Sequence, residues 1–174
     1  DGDVKAAEER SLAPFGRAET GESPYALHQE LQAAMNELVG IIRIESEIAD
    51  AVAKIADIKE RAKNVGAVGG RAFNPGWHLS LDLRNMLVVS EAIAKAALLR
   101  QESRGGHTRE DYPGMNPDWR KKLLVCTLQS AEGQSGEGSD GDVTIVEQDQ
   151  IPMRSDLLDL FEVDELKKYL TSAE

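Results

Sequence analysis

The chain has 174 residues, of which 41 % are hydrophobic, 5 % aromatic and 29 % charged, with a formal net charge of −11. Those numbers suit a soluble, helix-rich domain, with or without appendages, and exclude a wholly disordered acidic chain. No apolar run approaches the roughly 18 residues of a membrane-spanning helix, and the acidity argues against nucleic acid as a partner.

The charge is uneven along the chain. Residues 1–130 carry 17 Lys and Arg against 19 Asp and Glu, a net of −2, whereas residues 131–174 carry 3 against 12, a net of −9. The chain begins with Asp1 and not Met, so it is expected to be an excised piece of something longer. Residues 1–22 read as the tail of a preceding region or a short helix, without a core-forming stripe. Ser23 and Pro24 then provide a helix start, as N-cap and first helical residue. Leu27, Leu31, Met35, Leu38 and Ile42 follow at spacings of three or four, one apolar stripe on a helix.

The stripe pauses at Arg43–Glu47, where Ser46 is a candidate cap, and resumes through Ile48, Val52, Ile55, Ile58 and Ala62. One continuous helix of about 40 residues would be about 60 Å long. Two antiparallel helices are therefore expected. Asn64 to Gly76 holds Gly66, Gly69, Gly70, Pro75 and Gly76, which is loop chemistry. The Gly66–Gly70 cluster fails as a dinucleotide fingerprint, because it follows a helix and lacks the glycine spacing.

A third helix is expected from Leu79 to Glu102, with a stripe of Leu79, Leu83, Met86 or Leu87, Ser90, Ile93 and Ala97. Val89, Ala92 and Ala96 widen that face, and an exposed apolar patch is expected beside it. Gly105 is placed as the left-handed residue that ends the helix. Three amphipathic helices with short links can bury their stripes only against each other. The fold class is thus mainly α, a spectrin-repeat-like three-helix bundle over residues 23–103.

Lys122–Leu128 and Val143–Glu147 have strand-like composition and are expected to form a small β-hairpin. Residues 104–128 hold a turn and the first strand. Residues 129–142 form an acidic Gly/Ser loop: in 130–142, 11 of 13 residues are Gly, Ser or acidic. Residues 143–174 hold the second strand and an acidic tail with short C-terminal helices at Ser155–Phe161 and Asp164–Leu170. The one cysteine, Cys126, excludes a disulfide scaffold and is expected to be small, apolar and buried. His28, His78 and His107 are isolated from one another and suggest no metal site.

The densest chemistry lies between Arg100 and Pro113. Arg104, His107 and Arg109 stand beside Glu102, Glu110 and Asp111, and Gly105 and Gly106 permit a sharp turn. Arginine forks suit carboxylates and carbonyls. The stretch either binds an anionic ligand or is a helix end whose charges satisfy each other and pin a neighbouring surface. The residues favour the second reading.

Glu102–Pro113 resembles the ESRG-x-H-x-REDYP signature of the succinate dehydrogenase/fumarate reductase flavoprotein subunit, in that subunit's C-terminal domain. Trp119 and Ile58–Asn64 are also similar to the family, and the resemblance spans roughly residues 24–125. L-aspartate oxidase and adenylylsulfate reductase share a related ESRG segment, and the REDYP continuation favours succinate dehydrogenase or fumarate reductase.

The resemblance implies a helical domain of an enzyme that interconverts succinate and fumarate, passing electrons through FAD to an iron–sulfur subunit, then to quinone. FAD and the substrate-binding residues belong to FAD-binding and capping domains outside these residues. No catalytic, FAD-binding or metal-binding residue is therefore assigned here. The resemblance offers instead an interdomain signature: Glu102, Ser103, Arg104, Gly105, His107, Arg109, Glu110, Asp111 and Tyr112. Arg104 and Arg109 are expected to bond to the FAD domain, with His107 and Tyr112 filling the seam. The implied location is peripheral, on the cytoplasmic face of a bacterial inner membrane, reached only through other subunits. Self-association of the chain, the equivalent domain of L-aspartate oxidase and an independent helical adaptor are the alternatives to be weighed. The acidic insert and tail depart from the mitochondrial-type pattern.

Overall fold

Helix α1 (Gly2–Gly16) opens the computed structural model, which describes residues 2–128, 141–152, 154–158, 160, 162 and 164. It buries only Pro14, and side chains from later in the chain hold it in place. The Trp77 indole donates to the Ser11 carbonyl at 2.7 Å, and the Phe15 and Trp77 rings lie 5.5 Å apart. Arg17 Nε donates to the Val65 carbonyl at 3.0 Å. The backbones of Gly21 and Gly66 cross too closely for any side chain. A Cβ on Gly66 would meet the Arg17 carbonyl oxygen at 2.2 Å, and one on Gly21 would meet Gly66 N at 2.5 Å. This crossing is why the Gly66 segment needs glycine; it has no nucleotide to approach.

Helices α2 (Pro24–Leu38), α3 (Glu45–Ala62) and α4 (Pro75–Leu99) pack pairwise into the expected three-helix bundle. Leu27 and Leu31 from α2, Ile48, Ile55 and Ile58 from α3, and Leu83, Leu87 and Ala94 from α4 are buried together in one cluster. Each large side chain withdrawn from water contributes about 1.5–3 kcal/mol before conformational entropy is subtracted.

Several local expectations change. Ser23 has extended backbone before α2, but its hydroxyl caps nothing, and Pro24 simply removes one unpaired N–H. Ile42 leaves the helical stripe. It stands exposed in β1 (Ile42–Arg43), which pairs in parallel with β2 (Thr108–Arg109). Ser46 lies inside α3, and Ile44 holds the cap position. Helix α4 begins four residues earlier than Leu79, because the Asn74 side chain accepts from the Trp77 amide at 2.9 Å and Pro75 takes the first position. The helix ends at Leu99, so Gly105 does not terminate it. Ile93 and Val89 face solvent, at 44 % and 57 % exposure, while the buried line runs through Leu83, Leu87, Ser90, Glu91, Ala94 and Ala97.

A short 3-10 helix (Pro117–Lys121) leads into β3 (Lys122–Leu128), which pairs antiparallel with β4 (Val143–Asp149) from Lys122↔Asp149 to Leu128↔Val143. Cys126 is exposed, not buried. The sheet has two strands only, and from Val125 onward β3 has no layer covering it. Helix α5 (Ser155–Leu158) is the described part of the tail. The acidic loop over residues 129–140 and most of the expected helices after Leu158 lie outside the described residues.

Candidate functional site

The signature stretch folds over one end of the bundle, against the end of α4, the start of α3 and the link that follows α2. Its hairpin closes at Arg104 and His107, whose backbones exchange hydrogen bonds of 2.8 and 3.0 Å. Gly105 takes the first central position with φ +59°, which a side chain rarely tolerates. Ser103 fastens the base of the loop. Its hydroxyl accepts from the Arg109 amide at 2.8 Å and lies 2.9 Å from the Tyr112 carbonyl oxygen.

Arg109 is fully buried, and its donors are all directed to acceptors within the chain. Nε and Nη2 grip the two oxygens of Asp111, each at 2.7 Å. Nη1 reaches the Ala97 carbonyl at 2.9 Å and the Leu98 carbonyl at 3.2 Å, and Nη2 lies 3.5 Å from Glu45. The guanidinium therefore caps the C-terminus of α4, where carbonyls lack intrahelical partners and the helix dipole is negative. Asp111 does the converse, accepting the amide of Glu45 at the start of α3 at 3.0 Å. The guanidinium of Arg109 holds the Asp111 carboxyl down to about 2, against an ordinary value of 3.8.

Glu102 is also fully buried. Arg104 grips it through Nε and Nη2 at 3.0 Å each, Arg100 adds a third contact, and the Asn116 amide donates at 2.9 Å. Burial pushes this carboxyl up, but the donors from Arg104, Asn116 and Arg100 outweigh burial and keep it below the usual carboxylate range. Trp119 is packed between Arg100 and Lys122, whose charged groups lie 5.2 and 5.4 Å from its ring.

His107 joins the hairpin to the bundle. Its Nδ1 accepts from Arg43 Nη1 at 2.7 Å, and its Nε2 donates to the Arg100 carbonyl at 3.1 Å. That pairing selects the neutral ring with its proton on Nε2. Burial holds its pKa below the ordinary 6.5, and Arg43, Arg109 and Arg100 add to the effect. Arg43 also donates from Nε to the Gly40 carbonyl at 2.8 Å, just beyond α2.

The signature residues are thus brought together, with their charges satisfied largely by each other. Arg109 has no donor left for another domain, contrary to expectation, and Arg104 is committed mainly to Glu102. Tyr112 is half-buried beneath Arg109, 4.8 Å from its guanidinium, instead of reaching outward. What faces outward is the Gly105–Gly106 tip, Glu110 and part of Arg104.

Arg43, Glu45 and Asn116 belong to this network, but nothing local in their sequence marks them. A second polar cluster is likewise unmarked. Glu91, buried on α4, accepts from Lys59 at 2.7 Å and from Lys95. Lys59 reaches on to the Gly141 carbonyl at 2.9 Å, and Lys95 to the Val143 carbonyl at 2.8 Å. These two lysines tie the start of β4 to the bundle.

Among the described residues no group of three His, Cys, Asp or Glu is arranged to hold a metal, and no helix is long and apolar enough to cross a membrane. The chain also lacks a fit for a flavin dinucleotide. The glycine loop between α3 and α4 has no strand before it, and the amides of Gly66 and Ala67 already bond to the carbonyls of Glu22 and Pro14.

Residues 28–154 match the family described as fumarate reductase flavoprotein C-term. The succinate dehydrogenase flavoprotein subunit of Bacillus subtilis is 30 % identical over 148 residues, which is 84 % of this chain and 25 % of that protein. The fumarate reductase flavoprotein subunit of Mycobacterium tuberculosis is 33 % identical over 125 residues, 71 % of this chain and 21 % of that protein. The chain therefore spans a quarter or less of the length of these relatives. Among solved structures, the Mycobacterium smegmatis Sdh1 complex in the apo form aligns with a TM-score of 0.82 and 52 % identity, over 98 % of this chain and 28 % of that one. Escherichia coli quinol fumarate reductase aligns at 0.73 and 23 % identity, over 87 % of this chain and 25 % of that one, a likeness of fold.

Proposed function

The chain belongs to the fumarate reductase flavoprotein C-terminal family, and from that premise we propose that it braces the FAD-bearing part of a larger succinate–fumarate oxidoreductase. The observation that carries this reading is the closed network around Arg109 and Glu102. It locks the ends of the bundle helices into one rigid surface and presents the Gly105–Gly106 tip, Glu110 and the free edge of Arg104 outward. A rigid platform of this kind suits a docking role better than a chemical one, since its charged groups are already neutralised.

On this reading FAD and the dicarboxylate are handled by other domains of the same subunit. Electrons leave through an iron–sulfur subunit, and the whole sits peripherally at the cytoplasmic face of the bacterial membrane. The chain by itself binds no flavin and turns over no dicarboxylate. Co-purification of an iron–sulfur subunit separates this reading from the equivalent domain of L-aspartate oxidase.

The test is Arg104→Lys in the full-length flavoprotein subunit. Lysine cannot grip both oxygens of Glu102, so the hairpin loosens. The expected result is lower flavin content after gel filtration and a lower melting temperature. Unchanged values of both would overturn the proposal.

A further inference from the structure

A groove of about 440 Å³ runs between α1 and the helices α3 and α4, on a side of the molecule away from the signature hairpin. Its lining holds Arg10, Arg17, Lys59, Lys63 and Arg84 and no acidic residue. Lys59 is turned to Glu91 and Asp142, and Lys63 to Glu60. Arg17 donates Nε to a backbone carbonyl, and among the described residues neither it nor Arg10 meets a carboxylate. Between these cations the floor is apolar, formed by Ala62, Leu81 and Val88. Ser11 and Ser80 have hydroxyls bonded back to the carbonyls of their own helices, so the positive charges alone are left to recognise an anion.

An occupant must therefore offer carboxylates alternating with apolar side chains. The chain carries one such segment. Residues 155–166 contain five acidic residues, six apolar ones and no cation. Its described members Leu157 and Leu160 are exposed, at 41 % and 77 %, so they have no apolar cover of their own. The path of the chain leads this segment away from its own groove. Lys59, in the groove wall, holds Gly141 and Asp142 just before β4, and β4 then runs six further residues to Asp149, about 20 Å.

We propose that the groove of one copy takes the acidic segment 155–166 of a second copy, and that two copies exchange these segments reciprocally. Such a contact is self-complementary and closes as a dimer. It is held by arginine–carboxylate forks over an apolar floor, and it does not depend on the function proposed above.

Sedimentation velocity on the full-length protein tests this at about 50 mM and about 500 mM salt, where screening is strong. The expected result is a dimer at low salt whose dissociation constant rises at least about tenfold at high salt. Deleting residues 155–174, or making Arg10→Glu with Arg17→Glu, should each yield monomer. An equimolar mixture of those two proteins should recover a weaker pair, because one intact groove then meets one intact tail. Should the groove variant unfold, Asp159→Lys with Glu162→Lys leaves the groove untouched and should also yield monomer. A wild-type protein that is monomeric throughout, or a dimer that survives loss of the tail, would overturn the proposal. So would a dimer lost on groove reversal but kept on tail deletion, which means another anion fills the groove.

Discussion

In the middle of the bundle, Leu27, Ile48, Ile55, Ile58 and Leu83 meet through atoms with no directional preference, and what matters is volume. At the end of the bundle, Arg109, Asp111, Glu102 and His107 meet through donors and acceptors that must lie at set distances and angles. Both regions join α2, α3 and α4. The core tolerates any side chain of similar size, whereas the capped end tolerates almost none, because each group there is buried and completes another's hydrogen bonds. The contrast places the specificity of this domain at its end and its bulk stability in its middle.

The most damaging change is expected at Arg109. Arg109→Lys keeps the charge but abandons the fork on Asp111 and the carbonyls of Ala97 and Leu98. Leaving buried partners unmatched costs about 3–5 kcal/mol, which chemical denaturation of the full-length protein reads directly. Glu102→Gln is next. The amide nitrogen of glutamine must face either an arginine or the Asn116 N–H, and one charged acceptor is lost, at about 2 kcal/mol by the same measurement. Ile55→Val, fully buried in the core, is expected to cost only about 1 kcal/mol, and a value above that of Glu102→Gln would break the comparison.

The smallest expected effect is a slope in stability with pH. The folded pKa of His107 lies below the ordinary 6.5, so the unfolded chain takes up the proton first. The stabilisation is complete above about 6.5 and erodes as pH falls through the folded value, because a protonated Nδ1 cannot accept from Arg43. Melting temperatures of wild type and His107→Gln should converge as the pH is lowered from 7.5 toward 5.5. Parallel curves would show that the ring does not titrate against folding. Asp111, held near 2, should contribute its own loss only below about 3.8.

Much of the bundle is legible in the chain. The periods of three and four through Leu27, Leu31, Ile48, Ile55, Ile58 and Leu83 report the core faces, because each side chain needs only to point inward. The family signature is legible as a string of residues. Its wiring is not. The partner of His107 is Arg43, 64 residues away, and the cap of α3 is Asp111, 66 residues from Glu45. Ser46 looks like that cap because local rules consider only neighbours, and the acceptor supplied by the hairpin takes its place. Ile93 and Cys126 depart from expectation for a related reason. Whether an apolar side chain is covered depends on what lies above it, and nothing among the described residues covers that side of α4 or the end of β3.

The sequence by itself determined the three helices, the pairing of two strands, the family, and the concentration of charge in the last quarter. These follow from periodicity, composition and a motif, all of which are local. Only the tertiary structure decided that Arg109 serves its own chain and not a neighbouring domain, that His107 is held neutral among arginines, and that Lys59 and Lys95 fasten the hairpin through Glu91. The physical reason is that a buried charge must be matched by whichever groups the fold brings within about 3 Å, and chain separation says nothing about which those are.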